Sequence, residues 1–326
     1  MNAVDHNNVV IFDDRGIPSI MCRFVRPKDT EEVPAVFKIG DKVADAIYIS
    51  KYPNIVIDGR AYSMPMADPT VNITFDGAVQ ACRCKGLGWH LMTAVEYEYL
   101  LNQSREKGTM PHGNTDWGKD YYHNDEQGKV SNLGRTYTGT GPVTWNHDHT
   151  PYGVSDLNGN VWEWLAGLRI KDGVIEFIPD NKAASPYCDL SKDSAEWQQA
   201  ETSKGPVRAN VECGEITITD AVAADDYEPN YDGVRIEELE VKLSEIPQVL
   251  KDLGIIPDKR AEEEGKTYVY FDATESEYMP IRGSAFDHTS DSGPSALSLN
   301  NPRSGSYDNI GFRSAFYEVN GKLITE

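Results

Sequence analysis

A chain of 326 residues, 39% hydrophobic and 10% aromatic, can bury a substantial core and has room for one large domain or two ordinary ones. Its formal net charge of −21 argues against nucleic acid and against an anionic membrane surface, since both are bound through clustered Lys and Arg. No run approaches the roughly 18 apolar residues of a membrane span, and the first eight residues have neither the basic region nor the apolar stretch of a signal peptide.

Residues 1–50 hold the strand-like runs Val9–Phe12 and Ala46–Ile49, separated by charged turns with Pro27, Pro34 and Asp41, which predicts a small N-terminal β module or arm ahead of a main domain over 51–326. Pro53–Asp58 then leads into two helices. Thr74 or Asp76 can cap the first, over Ala78, Val79, Ala81 and Cys82, which stops near Gly86 and Gly88. Thr93-Ala-Val-Glu96 is a capping box that opens the second, running to about Glu106. The five cysteines lack a disulfide-framework spacing and read as reduced; Cys82-Arg-Cys84 is one residue short of a redox pair and suits core packing.

Residues 107–160 are rich in Gly, Asn, Asp, His and aromatics without periodicity, which predicts long ordered loops. Asn158-Gly159 marks a tight turn before a strand Val161–Trp164 with alternating faces. From about 168 to 280 the character changes enough to suggest an insertion. It contains strands over Gly173–Ile178 and Glu215–Thr219 and a helix from Val234 through Leu250, where Ile236, Leu239, Leu243 and Ile246 recur at helical spacing. Residues 223–250 carry eight acids against two bases, a solvated face.

The stretch from Arg282 to Arg313 strings Ser, Asn, Asp, Gly, Tyr and Phe between the apolar anchors Leu297, Leu299, Ile310 and Phe312. Rings supply contact area at low entropic cost and small polar groups supply adaptable hydrogen bonds, as in a paratope. A Gly/Ser/Asn-rich coil is the plainer reading of the same composition.

Tyr152-Gly-Val-Ser-Asp-Leu-Asn-Gly-Asn-Val-Trp-Glu-Trp164 resembles the signature of the formylglycine-generating enzyme, or sulfatase-modifying-factor, family. Asp76–Cys82 with Gly88–Tyr99 is similar to its paired helices, and Arg282-Gly-Ser284 and Gly311-Phe-Arg313 to its C-terminal blocks. The resemblance covers about 50–168 and 280–317. It implies an α+β, loop-rich fold of the C-type lectin type with a large insertion. The family's enzymes need C-terminal cysteines, and this chain has none after Cys213. Its oxygenase-like relatives need a histidine cluster; His147-Asp-His149 reads either as part of such an iron site or, more often for neighbours at i and i+2, as hydrogen-bonding loop residues. A metal-dependent oxidase or oxygenase is therefore the alternative to a protein without catalysis.

With its anchors Arg282-Gly-Ser, Gly293–Leu297, Leu299-Asn-Asn, Pro302-Arg-Ser and Asn309–Ala315, the segment over 282–313 is similar to the variable region of proteins diversified by retroelements through adenine replacement. That resemblance implies a ligand-binding surface of Ala285, Phe286, Asp287, His288, Ser290, Ser298, Asn301, Pro302, Gly305, Tyr307 and Asp308, with Phe286 and Tyr307 the foremost contacts and Ser290 and Asn301 equally readable as plain loop. It also implies a structural calcium ion at Asp156, Leu157, Gly159 and Val161, held mainly by backbone carbonyls, and no catalytic cofactor. The expected partner is a protein or glycan on a target cell. The expected location is a phage tail, attached through the N-terminal arm to other tail proteins, or a bacterial surface reached without a signal peptide.

Overall fold

The computed structural model describes residues 6–224, 227–274 and 277–323; residues 1–5, part of the stretch without signal-peptide features, lie outside the described residues. A first antiparallel sheet runs in the order His6–Phe12, Pro18–Val25, Ala46–Ser50, Ser314–Val319, Lys322–Leu323, with His90–Leu91 alongside Ser314–Val319. The two runs read as strands from residues 1–50 are strands. They do not form a separate arm: Ala46–Ser50 is hydrogen-bonded between Pro18–Val25 and the C-terminal strand, with Ile49 opposite Ala315. The pattern of either run gives its inward face, not its partner at the far end of the chain.

Both predicted helices form, the first packed against Arg60–Tyr62 and His90–Leu91 and the second against the first sheet through Tyr97, Leu100 and Leu101. Thr74 caps Phe75–Arg83, its hydroxyl oxygen accepting the Gly77 amide at 3.1 Å. Thr93 and Glu96 close the capping box of Ala94–Lys107, which stops at Gly108 in the left-handed region at φ 65. Between Gly108 and Trp162 the only regular helical turn among the described residues is Val143–Trp145, as expected of a loop region.

Trp162–Trp164 lies inside a mixed sheet of order Tyr231–Arg235, Tyr268–Asp272, Leu297–Asn301, Met279–Arg282, Trp162–Trp164, Ile310–Phe312. The alternation expected of this strand is absent because both its faces are covered: Trp162 is 3%, Glu163 1% and Trp164 0% exposed. Residues 168–280 do build a sheet of their own, Leu168–Lys171, Val174–Phe177, Arg208–Glu212, Glu215–Thr219 and Glu240–Lys242 in order. Yet Tyr268–Asp272, within the same stretch, pairs in parallel with Leu297–Asn301, so the stretch is continuous with the sheet of the C-terminal segment.

The helix expected from Val234 through Leu250 does not exist. Tyr231–Arg235 is a strand paired with Tyr268–Asp272, Glu240–Lys242 is another, and between them Ile236–Glu238 makes a single 3-10 turn, α-helix beginning only at Gln248–Asp252. Pro247 explains the break, for it has no amide to donate and drives Ile246 out of helical conformation. Of the eight acids over 223–250, Glu228, Glu237, Glu238, Glu240 and Glu245 are exposed as expected, Asp232 is half-buried, and Asp225 and Asp226 lie outside the described residues.

Candidate functional site

Two buried arginines build the frame on which the C-terminal segment lies. Arg313 donates to Glu163 at 2.6 and 2.9 Å and to the carbonyls of Ser50, Lys51 and Ser155 at 2.9, 3.0 and 2.9 Å. Arg282 donates to Glu98 at 3.2 Å and to the carbonyls of Leu253 and Ser295 at 3.3 Å, with its guanidinium over the Tyr97 ring. Each charge is desolvated and paired, so losing one partner would strand the other in the interior. The Arg-Gly-Ser and Gly-Phe-Arg blocks are therefore architecture: they tie the Trp-Glu-Trp strand, the second helix and the first sheet together.

Between these anchors the main chain of the segment is held by groups outside it. The amides of Trp117, Asn72 and Trp162 donate to the carbonyls of Phe286, Tyr307 and Asn309 at 2.8, 2.8 and 2.9 Å. The Tyr122 hydroxyl donates to the Ser290 carbonyl at 3.0 Å, and the Thr289 amide donates to the Thr115 carbonyl at 2.9 Å. Arg135, fixed by two 3.1 Å bonds to Asp68, donates to the Asp308 carbonyl at 2.9 Å. Arg303 is pinned over the Phe75 ring by Glu277 and Asp76. Apart from Arg303, every segment atom in these bonds belongs to the backbone, so the bonds persist whichever side chain sits there.

The residues expected to face a ligand divide in two. Asp287, Tyr307 and Asp308 are exposed, and His288, Ser290, Asn301 and Pro302 are half-buried. Ala285, Phe286, Ser298 and Gly305 are buried, which corrects their place on the surface. Phe286 is 4% exposed and packs edge-on against Trp117 at 5.0 Å, beside Gly134, where a Cβ would come within 3.0 Å of its ring. It is a wedge under the segment, and Trp117, 57% exposed, takes the outer position. Gly305 lies under Tyr307, whose ring a Cβ would meet at 2.9 Å.

His288, Ser298, Asn301 and Tyr307 converge with Trp162, Tyr270, Asn300 and Asn309 around a cleft of about 260 Å³. Strand register makes this possible: Tyr270 stands opposite Ser298, and Ser298 opposite Ile281, so their side chains share one face of the mixed sheet. The Tyr270 ring lies across Gly233, its cross-strand partner, where a Cβ would sit 2.3 Å away. Trp162 Nε1 donates to His288 Nε2 at 2.9 Å, which requires a neutral imidazole. Burial holds the His288 pKa below its usual value, outweighing the opposite pull of Asp287 and Asp291. Burial also pushes the Tyr270 phenol up to about 12, so it stays protonated. Asn301 Nδ2 donates to Ser298 Oγ at 2.9 Å and Asn300 Oδ1 at 2.8 Å, leaving Asn300 Nδ2 and Asn301 Oδ1 for a ligand. Among the described residues no charged side chain lines the cleft. In the sequence Trp162, Asn300 and Asn309 read as signature or anchor residues and Tyr270 as no site residue at all; only the register of distant strands brings them here.

The turn at Asp156 is closed by protein donors. Its carboxylate accepts the Gly139 amide at 3.2 Å, the Leu157 carbonyl accepts the Tyr97 hydroxyl at 2.8 Å, and the Gly159 carbonyl accepts the Val161 amide at 2.8 Å. Burial pushes the Asp156 carboxyl up to about 6, toward its neutral form. With Asp156 the one carboxylate among the four residues, and the Leu157 and Gly159 carbonyls each accepting a protein donor, the turn falls short of the roughly six to eight oxygens that calcium takes.

His147 and His149 likewise turn to separate partners: His147 Nδ1 accepts the Val154 amide at 2.9 Å, and His149 Nε2 lies 3.1 Å from the Met110 carbonyl. They are hydrogen-bonding loop residues, and among the described residues no three His, Cys, Asp or Glu side chains are grouped to hold a metal. Burial pushes the Cys22 and Cys188 thiols up to about 12 and about 11, which leaves neither a ready nucleophile.

Frame and cleft together define an α+β, loop-rich protein of the C-type-lectin-like kind, its C-terminal segment laid over a sheet and held by its main chain. The chain belongs to the sulfatase-modifying factor enzyme 1-like domain family, whose profile matches residues 56–316, across the region read as an insertion. It is 36% identical over 105 residues to the formylglycine-generating enzyme of Mus musculus, a match covering 30% of this chain and 27% of that protein. Among solved structures it is similar to the Major Tropism Determinant I1 variant, with 12% identity over 97% of this chain and 56% of the other at a TM-score of 0.35. PvdO from Pseudomonas aeruginosa is 14% identical, with 95% and 98% coverage and a TM-score of 0.40. Treponema denticola variable protein 1 is 12% identical, with 95% and 99% coverage and a TM-score of 0.38.

Proposed function

We propose that this protein is a non-enzymatic, ligand-binding member of the family whose segment over 282–313 is a hypervariable recognition surface diversified by a retroelement. One observation carries the reading: the frame holds Phe286, Ser290, Tyr307 and Asp308 by their main-chain carbonyls, while the side chains of Asp287, Tyr307 and Asp308 project outward. Exchange of an exposed side chain leaves those bonds in place, so variety comes at little cost in stability.

The neighbouring loops widen the face. Trp117, Tyr121, Tyr122, Val130 and Leu133 are exposed, and this loop region bonds to the segment through Trp117, Tyr122 and Arg135. Exposed rings of this kind dominate contact energies at protein surfaces. The ligand is a protein or glycan on a target cell, and the protein is carried on a phage tail or displayed on a bacterial surface. Attachment to a tail falls to the open edge of the first sheet at His6–Phe12, where Val10 and Phe12 are exposed, rather than to a free arm.

The coding DNA tests the diversification. A template repeat near a reverse-transcriptase gene, differing from the codons of 285–308 only at adenines, is the expected finding; neither being nearby overturns that part of the reading. Binding to a panel of bacterial cells tests the rest, with loss expected on replacing Tyr307 and Asp308 together.

A further inference from the structure

We infer that the cleft walled by Trp162, Tyr270 and Tyr307 is a subsite for a neutral sugar, a terminal pyranose of an uncharged glycan; this rests on the recognition reading above. A pyranose presents a C–H face and a rim of hydroxyls. It is held where an aromatic face meets side chains that both donate and accept hydrogen bonds. The cleft supplies both: the rings of Tyr270 and Tyr307, with buried Trp162 as its floor, and beside them Asn300, Asn301 and Asn309, the Nδ2 of Asn300 and the Oδ1 of Asn301 having no partner among the described residues.

Charge narrows the class further. Among the described residues no Lys, Arg, Asp or Glu lines the cleft, so a carboxylate, phosphate, sulfate or ammonium on a ligand would lose its hydration without gaining a partner. The molecule's formal charge of −21 also repels an anionic ligand at a distance. Size points the same way. About 260 Å³ lies near the lower end of small-molecule sites, whereas a protein epitope covers on the order of 800 Å² of each partner and has no need of a cleft. The walls are also set in advance, Tyr270 by Gly233 beneath its ring and Trp162 by its bond to His288, so little ordering remains for binding to impose.

An array of neutral, sialylated and sulfated oligosaccharides, followed by saturation-transfer NMR on the sugars retained, tests this directly. Retention of neutral sugars is expected, with Tyr307→Ala and Asn300→Ala each weakening them by about tenfold, as loss of one ring face or one hydrogen-bonding amide does. Neither residue is in the core, and an unchanged melting temperature separates lost binding from lost folding. Retention of only anionic sugars, of none, or of neutral sugars that both variants bind unchanged overturns the subsite. Periodate-treated and protease-treated bacterial cells distinguish the two levels of the reading. Attachment that survives periodate, fails after protease and still depends on Tyr307 sinks the sugar and leaves the recognition face standing. Attachment indifferent to replacement of both Tyr307 and Asp308 sinks the recognition face itself.

Discussion

Phe286 and Tyr307 are both aromatic residues of the C-terminal segment, and their surroundings give them opposite roles. Phe286 fills the space between Trp117 and Gly134, so Phe286→Ala is expected to cost about 3–5 kcal/mol in urea unfolding, the range for a buried ring. Tyr307, with 45% of its surface exposed, is expected to change stability by less than about 0.5 kcal/mol on replacement by Ala while abolishing most ligand binding. The reverse pattern, a harmless Phe286→Ala and an unfolded Tyr307→Ala, would show that the division between frame and contact is misdrawn. Asp156 poses a question of sign. Its folded pKa of about 6 stands above the ordinary 3.8, so its contribution is fully present below the lower value and is lost as pH rises through the upper one. Near neutral pH it is a buried charge. Asp156→Asn tolerates the left-handed backbone at φ 60 and keeps an acceptor for the Gly139 amide, so it is expected to raise the melting temperature near neutral pH and less so toward pH ~5. Chelation with EDTA is expected to leave the parent protein's melting temperature unchanged; a clear drop would mean that a cation occupies this turn after all.

At the scale of elements, the loop from Pro302 to Asn309 has no regular structure and depends on borrowed bonds, Arg135 to the Asp308 carbonyl and Asn72 to the Tyr307 carbonyl. Arg135→Ala is expected to speed amide hydrogen exchange over 304–309 and to weaken ligand binding severalfold, with the core strands as protected as before. Uniform loss of protection would instead make Arg135 part of the global frame. What the sequence disclosed about elements follows the reach of each signal. The Thr93–Glu96 capping box and the Thr74 cap are written within four residues, and both were legible. The Trp-Glu-Trp strand was legible, but its covered second face was not, because the counter-charge to Glu163 is Arg313, far along the chain. Helical spacing in Val234–Leu250 misled because strand pairing with Tyr268–Asp272 and the stop at Pro247 outweigh four apolar residues in period. Tyr270 was invisible as a site residue for a related reason: its strand was not read in the sequence, and nothing local says that Ser298 lies opposite it.

At the scale of the whole molecule, a formal charge of −21 surrounds a cleft that carries none. The two facts predict different responses to salt. Much of the acidic surface, Glu237, Glu238, Glu240 and Glu245 among it, is solvated, and its mutual repulsion opposes the compact state. Salt shortens the range of that repulsion, from a Debye length of about 10 Å at 0.1 M to about 3 Å at 1 M, so the melting temperature is expected to climb across that interval. The buried Arg313–Glu163 and Arg282–Glu98 pairs gain nothing from screening, since ions do not reach them, and they hold the frame throughout. A neutral ligand in the cleft neither gains nor loses Coulomb energy as the field is screened, so its affinity is expected to stay level over the same salt series. Calorimetric unfolding and binding titrations in matched buffers separate the two responses. Affinity falling together with rising salt would mean that the ligand is drawn by charge, and the contact would then belong to the acidic surface around Asp287 and Asp308 rather than to the uncharged cleft between the rings.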